Sequence, residues 1–482
     1  MALNVRDVER DQLWLMPPSV ADWLPEDHLA WFVLDVVSEL DLEEFYAAYR
    51  DDGRGGCAYD PALMLGILVY AYCLGERSSR RIERRLVEDV GFRVVAANQC
   101  PDHATLARFR ARHAGAFTSV FAQVLGLCAA EGLVAAGVVS IDGTKVEANA
   151  SAWSNRTRRQ IAEEILAEAE RTDATEDAAL GESRGGELPR AWAAKADRRR
   201  RLREALAHLE GEFLPADWDD YQARRAAQEA ATGRKVAGRK PSASGEKSKI
   251  RQANTTDPDS RMLKARNRFL QGYNAQAAVS EDHIIVAAEV TNAANDSTMF
   301  ETMIEATEAN LDDAGCGQSV GTYVADAGYW SVPNVTLQTE AEVLITPMPA
   351  TRGIADPDDP RLVRRKKIIA RVAAGKLSIT DAAVQMGCSQ TWARKLLTDY
   401  RNGTPDPAVL RKEMLERLSS DEGKAAYAKR KTTSEPVFGN IKANLRFRRF
   451  SRRGRAAVGS EWKLICAVHN LLKLRNFSLA AG

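Results

Sequence analysis

Between residues 138 and 346 the sequence breaks repeatedly into short β-rich runs, VVSID, LQGYNAQAAV, IIVAAEV, TYVAD and EVLITP, and two of them end on an aspartate. The polar SEDH joins the second and third runs as a hairpin, and the helical pattern DSTMFETMIEATEANL separates the third from the fourth. Strand, hairpin strands, helix, strand, helix, strand predicts an α/β fold: a mixed sheet with helices packed on it. Asp142 and Asp326 each close a strand in this reading, with Gly143 turning the chain after the first. Open α/β sheets bind ligands at the carboxyl ends of strands, although an aspartate there is also a common turn former.

The flanks have a different texture. Residues 1–133 read as a helical domain. Asp60 stands as an N-cap before Pro61, and Asp102 or Thr105 caps a helix that carries Arg108, Arg110 and Arg112. Arginines clustered on a helix either track phosphates or form a solvated face. Residues 134–150 hold the first strand of the core, and 266–350 hold the rest of the sheet. Residues 151–265 read as an insertion, with charged helices that include Arg198 to Arg201, then a Gly, Ser and Lys linker. A second insertion, 351–420, has the spacing of a helix-turn-helix: small Ala383, turn Gly387, and apolar Val384, Ala393, Leu396 and Leu397. That places Gln390, Arg394 and Lys395 on a helix suited to a major groove, with a plain helical hairpin as the alternative.

Composition excludes several classes. A chain of 482 residues that is 45% apolar can bury large cores, and length suggests about three domains. Seven scattered cysteines without a C-x-x-C argue against disulfide frameworks and zinc ribbons, and point to a reducing cytoplasm. No apolar run approaches a membrane span, so no membrane partner is expected. The formal charge of +1 hides acidic residues gathered in the first fifty positions and basic ones in the last sixty, which suggests a polyanion contacted locally.

The C-terminal segment, 421–482, sharpens that suggestion. Between Tyr427 and Arg455 a single glutamate, Glu435, stands among ten lysines and arginines. With Thr433 or Ser434 as a cap and Pro436 following, it reads as a first-turn residue of a helix, and Lys442 lies two helical turns further on. Arg446, Arg448, Arg449, Arg452 and Arg453 extend the positive charge. Three carboxylates brought together by a sheet, Asp142, Asp326 and Glu435, could hold two divalent metals. His103, His113 and His469 lack metal-ligand spacing and read as structural. Trp462 reads as core, and Trp330 and Trp392 as buried or stacked on bases.

The Asp, Asp, Glu series within SIDGT, VADAGYWS and KTTSEPVFGNIK resembles the DDE transposases of bacterial insertion sequences. PDHATLARFRARH, TDPDSRMLK, GYNAQAAVS and EWKLICAVHNLLKL match in the same order. One signature of a large branch is Tyr, two residues, Arg, three residues, Glu, six residues, Lys. This chain offers Tyr427, Arg430, Glu435 and Lys442, with four residues between Arg430 and Glu435, and with Ala428 and Lys431 at the strict positions. The resemblance implies a ribonuclease-H-like sheet with helices on both faces, and two Mg2+ ions (Mn2+ substituting) held by Asp142, Asp326 and Glu435. It also implies in-line cleavage and strand transfer on the double-stranded DNA of element ends and target, by a homodimer or higher assembly in the nucleoid-associated cytoplasm. A catalytically inactive DNA-binding regulator and a nuclease without strand transfer are the competing functions.

Overall fold

The carboxylate of Asp60 accepts the amides of Ala62 and Leu63, and Pro61 sits at the first helical position, where its missing N–H is not needed. That start launches a helix apolar on every side, Pro61–Cys73, which is correspondingly buried almost throughout. A computed structural model describes residues 20–49, 58–157, 159–165, 167, 198, 200–207, 209, 252–265, 268–348 and 357–481. The N-terminal helices are α1 (Leu29–Glu39), α2 (Pro61–Cys73), α3 (Ser79–Glu88), α4 (Val90–Val95), α5 (His103–Arg112) and α6 (Ala116–Ala130). Asp102, rather than Thr105, caps α5 by accepting the Thr105 amide.

The sheet is built from β1 (Val138–Glu147), β2 (Arg261–Lys264), β3 (Phe269–Val279), β4 (Ile285–Thr291), β5 (Thr322–Ala325) and β6 (Glu342–Ile345), with helix α7 (Phe300–Asp313) between β4 and β5. The order is β4, β3, β1, β5, β6, and β2 shares the outer edge of β3 with β4. β1 runs antiparallel to β3 and parallel to β5, which is parallel to β6. β3 and β4 form the expected hairpin. The insertion was expected to run to residue 265, but β2 already pairs with β3 in the main sheet, while Gln252–Asn254 pairs with Asn155–Thr157 in a separate two-stranded sheet. Of the Gly, Ser and Lys linker, residues 232–251 lie outside the described residues.

Helices α8 (Pro360–Ala373), α9 (Ile379–Met386), α10 (Gln390–Arg401), α11 (Pro407–Ser419), α12 (Asp421–Gly439) and α13 (Arg455–Ala481) complete the chain. Both faces of the sheet are covered. Val324 and Leu344 meet Met414 of α11 and Tyr427 of α12, while Tyr323, Val343 and Ile345 point into the main core. That core is continuous from the N-terminal helices through the sheet to α13, so the described residues of the N-terminal region share an interior with the sheet. Trp462 lies in it at 1% exposure, its indole N–H donating to Gln276 O at 2.9 Å. Among the described residues no single helix is long and apolar enough to cross a membrane.

Candidate active site

The register of two parallel strands creates the site. Ile141 of β1 pairs with Ala325 of β5, so the next residues, Asp142 and Asp326, stand side by side where the strands part. β1 does not end at Asp142 as expected; it runs on through Gly143 to Glu147 against β3. Gly143 serves clearance rather than a turn, because a Cβ there would collide with the Gln276 amide and stand 2.8 Å from Asp296 Oδ1. Asp142 Oδ1 accepts the Gly143 amide and Asp326 Oδ1 the Gly328 amide, each at 2.8 Å.

Both aspartates converge on one guanidinium. Arg430 Nη2 lies 3.3 Å from Asp142 Oδ2 and 3.5 Å from Asp326 Oδ2. Ser434, one turn further along α12, places Oγ 3.2 Å from the same Asp142 oxygen. Burial pushes the Asp142 carboxyl above its ordinary range against the pull of Arg430 and the Gly143 amide, with Asp326 adding to the rise. The Tyr427 hydroxyl bonds Thr346, just past β6. Tyr427 and Arg430 therefore face the sheet, whereas Ala428 and Lys431 are exposed.

Glu435 departs from expectation. It was placed in a first helical turn capped by Thr433 or Ser434, but α12 begins at Ser420, which accepts the Gly423 amide, and Pro436 lies inside the helix. Proline leaves the carbonyl of residue i−4 without its helical partner. Here that carbonyl belongs to Thr432, and His283 Nε2 donates to it at 2.8 Å. Lys429 pairs with Glu281 at 2.5 Å, so the hairpin tip clamps the helix at two points. Glu435 is exposed. Among the described residues no three His, Cys, Asp or Glu side chains form a ready metal cluster.

Lys442 does not project from the same α-helical face as Glu435. α12 ends at Gly439 and a π turn, Asn440–Asn444, widens the helix and shifts its phase. Lys442 Nζ reaches Thr144 Oγ1 at 2.6 Å and Lys145 O at 2.9 Å, on the strand that carries Asp142. Burial, with Arg448, Lys145 and Arg268 nearby, pulls its ammonium below the ordinary lysine value.

The basic loop that follows is held by acids. Buried Glu461 accepts the amides of Ser451 and Arg452, each at 3.0 Å. Glu147 pairs with Arg449 at 2.9 Å and Arg268 at 2.7 Å. Arg446, Arg448, Arg449 and Arg453 are exposed, Arg446 in a left-handed backbone conformation, and Arg452 is half-buried. On α5, Arg108 is exposed, but Arg110 is 8% exposed and donates to Arg77 O, the Tyr72 hydroxyl and Ser79, so it serves the interior. The reading of Arg110 as a phosphate contact is thereby corrected: its guanidinium closes the joint between α2, α5 and the basic loop.

In the second insertion α9 and α10 meet at Gly387 in the left-handed conformation and pack on α8. Ala382, Ala383 and Ala393 are buried, but Val384, expected inside, is 53% exposed. Arg394 and Lys395 are exposed on α10, Gln390 is half-buried against Thr380, and Trp392 stacks with Arg365 at 5.0 Å. His103, His113 and His469 are engaged by Glu83, Tyr49 and His283 respectively, as structural histidines should be.

Sequence reading gave Ser434 only as a cap and missed Thr144, Lys145, Asp296, Asn274 and Gln276 around the aspartates. Asn274 and Gln276 carried a signal: two polar residues at period two in the otherwise apolar stretch 274–279, both fully buried.

Residues 18–112 match the family described as Transposase domain (DUF772). Residues 385–475, which include Tyr427, Arg430, Glu435 and Lys442, match the family described as Transposase DDE domain; Asp142 and Asp326 lie outside both regions. Neither a curated protein nor a solved structure matches the chain.

Proposed function

This chain is a DDE transposase of the insertion-sequence type, and from that premise we propose that Asp142, Asp326 and Glu435 are its catalytic carboxylates and that it cuts and joins DNA by in-line phosphoryl transfer. The observation that carries the assignment is the convergence of Asp142 and Asp326 on Arg430. The order β4, β3, β1, β5, β6, with two antiparallel pairings followed by two parallel ones, supports a ribonuclease-H-like core.

The aspartates fit a hard divalent cation, since neighbouring strand positions offer two carboxylates and Arg430 already marks the gap between them as a place for positive charge. Two Mg2+ ions, or Mn2+ in their place, held by these residues with Glu435 would lower the pKa of a bound water and offset charge developing at phosphorus. The protein's own part is positional. Gly143 and Gly328 amides orient the aspartates, and Ser434 and Arg430 hold Asp142 from the helix side. Tyr427 fixes α12 against the end of β6. Lys442 and the arginines at 446, 448, 449, 452 and 453 form a cationic surface for the DNA backbone.

Arg108, and Gln390, Arg394 and Lys395 on α10, are further contacts to element ends or target, with α10 as the groove-entering helix of a helix-turn-helix. A homodimer or larger assembly would bring two ends together. An inactive DNA-binding relative is the second reading, and the exposure of Glu435 is the observation that favours it. Replacing Glu435→Gln is expected to keep DNA binding and abolish cleavage of a duplex carrying the ends of its own element. Cleavage at the wild-type rate would remove Glu435 from the catalytic set. A pre-cut 3' end that is joined to target DNA excludes a plain nuclease.

A further inference from the structure

A fourth carboxylate approaches both aspartates from the reverse face of the sheet. Side chains alternate along β1, so Asp142 and Thr144 face α12, while Gly143 and Lys145, with their partners Gln276 and Asn274 on β3, face the other way. Asp296, in the segment after β4, enters there. Its Oδ1 accepts from Lys145 Nζ at 3.0 Å, Asn274 Nδ2 at 2.5 Å and Gln276 Nε2 at 3.0 Å.

Two glycines make the approach possible. A Cβ on Gly143 would stand 2.8 Å from Asp296 Oδ1. A Cβ on Gly328 would stand 2.9 Å from Asp326 Oδ1 and 3.2 Å from Asp296 Oδ2. Neither glycine has a positive φ, so clearance rather than backbone conformation accounts for them. One glycine follows Asp142 directly and the other follows Asp326 by two residues, which puts Asp296 against the backbone just past both aspartates.

The network also reaches beyond Asp326. Gln276 donates to Asp296 while its Oε1 accepts the hydroxyl of Tyr329, a fully buried residue three positions past Asp326. Asn274 turns its amide nitrogen to Asp296 and leaves Oδ1 buried without a partner, an arrangement that is ordinarily destabilising. Both amide side chains are thus oriented by the same carboxylate.

We propose that Asp296 is a positioning residue that sets the separation of Asp142 and Asp326 and thereby the divalent-metal affinity of the pair. The inference rests on the catalytic assignment of those two aspartates. Lys145 compensates the charge of Asp296, and the Gln276 to Tyr329 link carries its position to the turn that presents Asp326.

The test is Mn2+ binding to the full-length protein by calorimetry, with the line shape of bound Mn2+ in electron paramagnetic resonance as a second readout. Asp296→Asn keeps the size of the side chain and removes its charge. It should weaken Mn2+ binding about tenfold, as loss of a partner behind metal ligands generally does, and alter the line shape. Tyr329→Phe deletes one hydroxyl and should weaken binding less, in the same direction; it decides the matter if Asp296→Asn does not fold. Asp142→Asn is the control. If Asp142→Asn loses Mn2+ while Tyr329→Phe and any folded Asp296→Asn bind as the wild type does, the positioning role is overturned and the catalytic assignment stands. Wild-type binding by Asp142→Asn overturns both.

Discussion

Arg430→Met should destabilise the metal-free protein and be rescued by divalent cation. Methionine roughly fills the space of the arginine stem but leaves Asp142 and Asp326 facing each other without a counter-charge. Removing one partner of a buried ion pair costs about 3–5 kcal/mol. The Asp142 and Arg430 side chains are 15% and 12% exposed, so that pairing counts nearly in full, whereas Asp326 is 41% exposed and its share is screened. The buried Arg430 Nε has no partner, and its removal returns part of the loss. A deficit of about 3 kcal/mol remains by this reasoning.

Thermal unfolding in EDTA and in Mn2+ reads the two parts separately. In EDTA the variant should melt several degrees below the wild type. A cation at about one hundred times its Kd contributes about 2.7 kcal/mol. In the wild type it must compete with the guanidinium, and in the variant it need not, so Mn2+ should raise the variant's melting temperature more and nearly close the gap. An equal deficit with and without Mn2+ would refute the claim that these carboxylates share a cation-binding gap, and no deficit in EDTA would refute the claim that Arg430 compensates them.

Two further outcomes follow from other parts of the molecule. Arg394→Ala and Lys395→Ala should each weaken DNA binding and lower the slope of log K against log salt by about one, as loss of a phosphate contact does; an unchanged slope would remove α10 from the interface. Burial pulls the His469 imidazole down from 6.5 to about 4. The unfolded chain therefore binds the extra proton first, and this contribution to stability is complete above about 6.5 and lost as pH falls through about 4. Melts across that window should show the loss, and His469→Gln should flatten it.

What the sequence made legible was local. The β-rich runs, the SEDH hairpin, the Asp60 and Asp102 caps and the burial of Trp462 follow from periodicity, capping chemistry and size, each readable within a few neighbouring residues. Register was not legible, and register is what sets Asp142 beside Asp326. Gly143 looked like a turn because the Gln276 and Asp296 side chains that need its space come from 133 and more residues away. Pro436 looked like a helix start because proline usually is one. The His283 imidazole that takes over the orphaned Thr432 carbonyl lies 149 residues off. Arg110 and Val384 failed in opposite directions for one reason: residue type gives an average preference, and the neighbours supplied by tertiary packing decide the particular case.

The near-zero net charge also becomes intelligible from the placement of the acids. Glu461 is buried behind the basic loop and holds its amides, Glu147 pairs with Arg449 and Arg268, and Asp296 pairs with Lys145 on the reverse face of the sheet. Asp257, also buried, takes the Tyr273 hydroxyl and the Gly454 amide and so anchors the far end of the loop. These carboxylates enter the formal sum with full weight, yet they stand behind or beside the strand and loop that present Arg446, Arg448 and Arg453 to solvent. A polyanion approaching that surface would meet its local field and be screened within about 8–10 Å from the rest of the molecule. A formal charge of +1 is therefore compatible with a locally cationic face, and these four acids, out of the 66 that enter the sum, help hold that face in shape.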